Sequence, residues 1–133
     1  GCLDLIMSVL VGPQLGHDRL TFIYDYPSSQ AALAQARGDV ASRFEAYLDG
    51  IELANGFHEL GDSREQRARF EQDLAARKSR GLPAMPIDER FLSALEYCLP
   101  DCSGVALGFD RLVMCATGAK HIDQVIAFPF DRA

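Results

Sequence analysis

The stretch RFEAYLDGIELANGFHEL, residues 43–60, decides the fold of this chain. Two strand-like runs flank Asp49-Gly50, a dipeptide that tolerates the positive φ angles of a tight hairpin turn. With this dipeptide at the centre of the turn, the two runs pair antiparallel and Glu45 lies opposite Ala54. The stretch therefore predicts a β-hairpin at the middle of the sheet.

Two carboxylates of the predicted hairpin project from one face of the sheet. Glu45 and Glu52 are then diagonal cross-strand neighbours, with Cβ atoms roughly 7 Å apart. Two negative charges at that spacing repel each other unless a cation lies between them or one carboxyl is protonated. Mg²⁺ commonly takes one or two carboxylates together with phosphate oxygens. The pair therefore indicates a divalent metal that carries phosphate, and the alternative is a solvated acidic face that binds nothing.

The remainder of the chain predicts strands and helices that are not ordered as simple βαβ units. A strand ends at Pro27, and a serine after it can cap a short helix over residues 30–36. Capping signals at Asp62 and a second apolar helical pattern predict helices over residues 62–80 and 88–99. A strand and a helix follow at residues 104–112. We expect an α+β fold, with a mainly antiparallel sheet and flanking helices.

Length, charge and composition limit the possible functions. The 133 residues are 48% hydrophobic, which is enough for one globular domain with a substantial core. The net charge of −6 argues against a nucleic-acid surface, since its basic residues are scattered rather than clustered. An acidic balance instead suits a site that receives cations such as Mg²⁺.

The cysteines, the histidines and the amino-terminal apolar run suggest no further chemistry. The four cysteines lack the spacing of a zinc site, so we expect buried, reduced thiols. His17, His58 and His121 show no metal-binding or catalytic spacing and are expected to be structural. The apolar run over residues 5–11 is too short to span a membrane and stops at Gly12-Pro13. A cytoplasmic protein without a membrane segment is expected.

Two motifs in this chain resemble those of one enzyme family. GIELANGFHEL (residues 50–60), preceded by Glu45, resembles the metal and amino-acid binding hairpin of lysine-type class II aminoacyl-tRNA synthetases. GVALGFDRL (residues 104–112) resembles motif 3 of the same family. The strings YPSSQAALAQ, PDCSGVALG and VIAFPFDRA are similar to the paralogue subgroup that ligates lysine to elongation factor P. Ala106 stands where the tRNA enzymes usually have glycine.

The resemblance implies a function. It is ATP-dependent activation of lysine or β-lysine as an aminoacyl adenylate, followed by transfer to a lysine of elongation factor P. An ordinary lysyl-tRNA synthetase that uses tRNA-Lys is the alternative, and an upstream oligonucleotide-binding anticodon domain would favour it. A non-catalytic module that binds an amino acid or a partner is a third possibility.

The resemblance also implies roles in ATP binding. Glu45 and Glu52 would hold Mg²⁺ on the phosphates, and the main chain at Leu53 would lie against the nucleotide. Gly108 fits a point where the backbone approaches the nucleotide, since glycine has no Cβ. Arg111, the expected catalytic residue, would meet the γ-phosphate and stack near the adenine. Without the surrounding motif, Arg111 would equally suit a surface ion pair with its chain neighbour Asp110.

Three further residues would bind the amino-acid substrate. Glu59 would face the ε-ammonium group, Asn55 would bond the carboxylate and Ala106 would line the pocket. Strict strand alternation places Asn55 and Glu59 on the face opposite Glu52. We therefore expect a β-bulge at residues 54–56, a feature common beside active sites. The alternative is an ordinary turn at Asn55-Gly56.

Motif 1, which forms the dimer interface of class II synthetases, and motif 2, whose arginine holds the α-phosphate, are not visible. The resemblance therefore implies that residues 1–133, with motif 3 at residues 104–112, are the carboxyl-terminal half of a catalytic domain. It also implies a homodimer for the full-length protein and no activity for the isolated chain.

Overall fold

The computed structural model describes residues 2–132, without the side chain of residue 131, so the predicted domain 1–133 extends one residue beyond it at each end. Helices flank a sheet of five strands. In chain order the elements are α1 (Cys2–Ile6), a π-helical turn (Met7–Val11), a 3₁₀ turn (Gly12–Gln14), β1 (Thr21–Pro27), a 3₁₀ turn (Ser28–Gln30), β2 (Ala36–Arg37), β3 (Val40–Leu48), β4 (Ile51–His58), α2 (Ser63–Ser79), α3 (Glu89–Glu96), β5 (Ser103–Leu107), α4 (Phe109–Thr117) and 3₁₀ turns at Ile122–Gln124 and Phe130–Arg132.

The described sheet is antiparallel throughout. Its strand order is β1-β3-β4-β5, and the two-residue β2 also pairs with β3. The predicted α+β fold with a mainly antiparallel sheet is confirmed. In this order β3 and β4 are central, so the hairpin that connects them lies at the middle of the sheet.

The turn of the hairpin forms where the sequence predicts it. Asp49 and Gly50 have φ angles of 49° and 74°, the paired left-handed conformations of a two-residue hairpin turn. The register farther from the turn differs from the prediction. Glu45 pairs with Asn55, so the expectation that it lies opposite Ala54 is wrong.

The difference in register has one cause, a β-bulge at Leu53. Ala46 pairs with Ala54 and Tyr47 with Glu52, which leaves Leu53 as the extra residue of β4. The expected bulge is therefore present, but it lies one residue before the predicted range 54–56. An extra residue reverses the alternation of side chains beyond it, so Asn55 lies on the same face as Glu52.

Helices α2 and α3 each begin at a capping aspartate, and the cap at Asp62 is the one that the sequence predicts. A carboxylate oxygen of Asp62 accepts hydrogen bonds from the main-chain N–H groups of the first turn of α2, at 2.8 and 3.2 Å. Asp88 caps α3 in the same way, with two bonds of 3.0 Å. A side-chain acceptor at this position satisfies donors that the helix itself leaves unpaired.

The short helix predicted over residues 30–36 does not form. A 3₁₀ turn covers Ser28–Gln30, and the segment after it pairs with the end of β4. The N–H of Gln35 donates to the carbonyl of His58 at 2.8 Å, and the carbonyl of Leu33 accepts from Leu60 at 2.9 Å. Main-chain groups used in these contacts are not available to a helix, so tertiary pairing overrides the local preference.

The cysteines differ partly from expectation. All four cysteines are free, as predicted, but Cys2 and Cys98 are exposed, so the expectation of burial is wrong for these two.

Within residues 2–132 no helix is long and apolar enough to cross a membrane. On the sheet face opposite Glu45, large apolar side chains stay open to solvent: Phe22, Tyr24, Val105 and Leu107.

Candidate ATP and amino-acid site

One face of the sheet collects most of the predicted site residues. Directly paired residues of antiparallel strands share a face. Tyr47 pairs with Glu52, Glu45 with Asn55, and Asn55 with Ala106. Three adjacent strands therefore present Glu45, Glu52, Asn55 and Ala106 together. The bulge at Leu53 makes this possible, since without it Asn55 would lie on the other face.

Glu45 is buried and its carboxylate is already bonded. Only 8% of the residue is exposed. Its Oε2 accepts a hydrogen bond from the Tyr47 hydroxyl at 2.6 Å, and its Oε1 accepts from the guanidinium of Arg43. Burial, followed by this bond to Glu45, raises the pKa of Tyr47. The arginine balances the buried charge, which is the condition under which a carboxylate tolerates desolvation.

Arg43 is a site residue that the sequence reasoning missed. Its guanidinium carbon lies 4.5 Å from the ring centroid of Tyr26 and 5.8 Å from that of Phe57. It also donates to the carbonyl of Gln30 at 2.8 Å. The signal in the sequence was strand alternation, which places Arg43 on the face of Glu45 two residues away.

Glu52 is the more open of the two carboxylates. Its side chain is 35% exposed and borders a cleft of about 350 Å³, which it shares with Tyr47, Arg111 and the amino-terminal residues Ser8, Gly12 and Pro13. Burial of the Glu45 carboxylate and exposure of the Glu52 carboxylate give the two different roles. Glu45 is fixed by the protein, whereas Glu52 can reach a ligand in the cleft.

Glu45 and Glu52 are the predicted protein ligands of Mg²⁺. Among residues 2–132, no group of three or more His, Cys, Asp or Glu side chains is arranged to hold a metal. The donor set therefore does not suit a metal held by protein ligands alone. It suits Mg²⁺ whose remaining ligands are phosphate and water, because such an ion takes only one or two carboxylates from the protein. Of the two carboxylates only Glu52 borders the cleft, and Glu45 would have to share oxygens that already accept from Arg43 and Tyr47.

Motif 3 is attached directly to the bulge. Arg111 donates to the main-chain carbonyl of Glu52 at 2.8 Å, and the same guanidinium nitrogen lies 3.9 Å from the Glu52 carboxylate. Arg111 therefore pairs with Glu52 and not with Asp110. The N–H of Gly108 donates to the carbonyl of Leu53 at 2.8 Å, just before α4 begins. These bonds bring Leu53, Gly108 and Arg111 together, and their roles in nucleotide binding stay a prediction.

The residues predicted to bind the amino acid keep unoccupied polar groups. Glu59 follows the last residue of β4, and its carboxylate lies over Gly104 on β5, where a Cβ would stand 2.2 Å from Oε1. Within the described residues, neither the Glu59 carboxylate nor the Asn55 amide has a hydrogen-bond partner. Ala106 is exposed and pairs with Asn55. This end of the face can therefore still bind a polar ligand.

Comparisons with known proteins agree with these motifs. Residues 11–132 match the family described as tRNA synthetases class II (D, K and N). The chain is 60% identical over 134 residues to an elongation factor P–(R)-β-lysine ligase of Klebsiella pneumoniae strain 342, a match that covers 98% of this chain and 41% of that protein. Proteins of the same name from Salmonella arizonae and Salmonella gallinarum are 58% identical with the same coverage. The chain spans less than half the length of these relatives. It belongs to the class II aminoacyl-tRNA synthetase family.

Proposed function

We propose that this chain is part of an ATP-dependent ligase that activates lysine or β-lysine as an aminoacyl adenylate and transfers it to a lysine of elongation factor P. The observation that carries the proposal is the shared sheet face, on which Glu45, Glu52 and Asn55 lie beside motif 3. Relatives at 58–60% identity are named as elongation factor P–(R)-β-lysine ligases, which supports β-lysine as the amino acid and elongation factor P as the acceptor.

The reaction joins an amino-acid carboxylate to the α-phosphate of ATP and releases pyrophosphate. Such a transfer depends on positioning and charge neutralisation more than on a protein nucleophile. Mg²⁺ bound by Glu45 and Glu52 would neutralise charge on the phosphates. Arg111, held against the carbonyl of Glu52, would present its planar guanidinium to the γ-phosphate and the adenine.

The other end of the face would hold the amino acid. Asn55 would bond the substrate's carboxylate, and Glu59 would pair with its ε-ammonium group. A partly buried carboxylate without a partner gains most from a cationic ligand, because binding offsets its desolvation cost. Ala106 would fill the space beside the amino group that glycine would leave open.

Support for a larger full-length protein comes from two observations. The chain covers 41% of its relatives, and one sheet face leaves Phe22 and Tyr24 exposed. Exposed apolar patches of this kind mark surfaces that pack against further structure. We infer that residues 1–133 are the carboxyl-terminal half of a catalytic domain, and that the remainder supplies motifs 1 and 2 and the homodimer interface.

An ordinary lysyl-tRNA synthetase is the second candidate, since the family description includes the lysine enzymes. It differs from the first only in the acceptor and the preferred isomer. A non-catalytic module is the third candidate. Retention of Glu45, Glu52, Glu59 and Arg111 together argues against it, because a module that only binds an amino acid needs Glu59 but not the three groups expected at the phosphates.

Isotope exchange of pyrophosphate into ATP tests the proposal. The full-length protein should exchange only with Mg²⁺ and a lysine isomer present, and the isolated 133-residue chain should be inactive. Glu52→Gln should raise the Mg²⁺ concentration needed for half-maximal exchange. Asp110→Asn removes a nearby carboxylate that does not line the cleft and should leave that concentration unchanged. Exchange at background with every lysine isomer would exclude both the ligase and the synthetase.

A second assay separates the two enzymes. Adenylate formed by the full-length protein should transfer to purified elongation factor P and not to tRNA-Lys. Transfer to tRNA-Lys alone would select the synthetase and contradict the proposal.

A further inference from the structure

A polar cluster lies behind the end of β4, on the face opposite Glu45. His58 Nε2 lies 2.5 Å from Oδ1 of Asp101, in the loop before β5. The amide nitrogen of Gln35 lies 3.2 Å from the same His58 nitrogen and donates to the carbonyl of Glu59 at 3.0 Å. The hydrogen bond from His58 lowers the pKa of Asp101. Three segments distant in the sequence therefore meet at this point.

These contacts surround the main chain of Glu59. Its N–H donates to the carbonyl of Cys102 at 3.0 Å, and its carbonyl accepts from Gln35. His58 is next to Glu59 in the chain, and Asp101 is next to Cys102. The His58–Asp101 bond and the Glu59–Cys102 bond are therefore neighbouring cross-links between the end of β4 and the loop before β5. Loss of one weakens the restraint on the other.

The position of the Glu59 carboxylate depends on these cross-links. Its oxygens have no hydrogen-bond partner among residues 2–132, so the protein locates them only through the backbone and through contact with Gly104. Gly104 itself follows the cross-linked loop by two residues. The loop therefore determines both the backbone position from which the Glu59 side chain extends and the surface against which that side chain lies.

We propose that Gln35, His58 and Asp101 are positioning residues that determine where Glu59 presents its carboxylate to a cationic substrate. The inference rests on the proposed function, since it needs a substrate cation at Glu59. It assigns a role to three side chains that do not touch the substrate face. A 1 Å displacement of a binding group is enough to lower catalytic efficiency strongly.

The test uses the full-length protein and three variants. Asp101→Ala should raise the KM for the lysine isomer about three- to tenfold, the range of one lost hydrogen bond, and change the KM for ATP less than about twofold. Asp101→Asn keeps an acceptor for His58 and should restore the KM of the unmodified protein. Glu89→Ala is the matched control, because Glu89 is likewise an exposed carboxylate bonded to a basic side chain, Arg67, but lies on α3.

Amide hydrogen exchange gives a readout independent of activity. Exchange in a peptide over residues 57–62 should be faster in Asp101→Ala than in the unmodified protein, and unchanged in Glu89→Ala. Equal exchange, or an equal rise in the KM for ATP and for lysine, would overturn the inference. If the unmodified protein lacks lysine-dependent exchange, the proposed function falls and this inference falls with it. If it is active and Asp101→Ala leaves the KM for lysine unchanged, only the inference falls.

Discussion

Replacement of Gly104 by alanine should displace the carboxylate of Glu59. A Cβ at this position would lie 2.2 Å from Oε1 of Glu59, whereas ordinary contact begins at 3.4 Å. The two atoms would have to separate by about 1.2 Å, the difference between these distances. The backbone at Gly104 does not have a left-handed φ angle, so it can accept alanine without strain. The cost therefore falls on the position of the glutamate side chain.

The expected effect is on substrate use rather than on stability. Misplacement of a binding group by about 1 Å can cost roughly 100-fold in rate, so kcat/KM for the lysine isomer should fall about 10- to 100-fold. This corresponds to about 1.4 to 2.7 kcal/mol. The Tm should change little, because the displaced atom ends a flexible, half-buried side chain and because alanine restricts the unfolded chain more than glycine does.

Pyrophosphate exchange at varied lysine and varied ATP measures the effect in the full-length protein. Gly61→Ala is the control, since its Cβ would meet the carbonyl of Leu99 at an ordinary 3.4 Å. In a Glu59→Gln background, Gly104→Ala should have little further effect, because the two changes act on one interaction. An unchanged kcat/KM for lysine in Gly104→Ala would refute the assignment of Glu59 to the substrate.

Three further changes test other parts of the structure. Glu59→Gln should raise the KM for lysine far more than the KM for ATP, since loss of a partner to a buried charge costs about 3 to 5 kcal/mol. An effect on the KM for ATP alone would instead assign Glu59 to the metal site. Ala106→Gly should raise the ratio of kcat/KM for α-lysine to kcat/KM for β-lysine about 10- to 200-fold. If this ratio is the same in the variant and in the unmodified protein, Ala106 does not line the pocket. Arg67 lowers the pKa of Glu89 from its ordinary value of 4.5, so their ion pair stabilises the fold above that pH and ceases to do so as the pH falls through the lowered value. The difference in urea stability between the unmodified protein and Glu89→Gln should therefore be small at pH 7, because both side chains are exposed. It should disappear once the pH has fallen below the lowered pKa of Glu89, and a difference that persists in acid, where Glu89 is protonated, would come from packing.

Local signals in the sequence determined the turn and the helix starts. Asp49-Gly50 specifies its own φ angles, and Asp62 and Asp88 bond N–H groups only two or three residues ahead. Such features depend on neighbouring residues alone, so they can be predicted from a short stretch of chain. The family motifs predicted which residues belong to the candidate site.

The failed helix at residues 30–36 shows where local signals lose to tertiary contacts. Its sequence suits a capped helix, yet the main chain of Leu33 and Gln35 bonds to Leu60 and His58, at and just after the end of β4 and more than twenty residues later. A short helix is only marginally stable by itself, so a few hydrogen bonds to a formed sheet outweigh it.

Only the tertiary structure decided how the site residues face one another. The bulge at Leu53 determines which face carries Asn55, and the carbonyl of Leu53 accepts a bond from the N–H of Gly108, at the end of a strand about fifty residues later. The bond between His58 and Asp101, 43 residues apart, likewise follows from strand register, whereas the contacts of Glu45 with Arg43 and Tyr47 follow from alternation along one strand. A shift of one residue in register moves every later side chain to the opposite face, so the identity of a residue predicts its chemistry but not its neighbours.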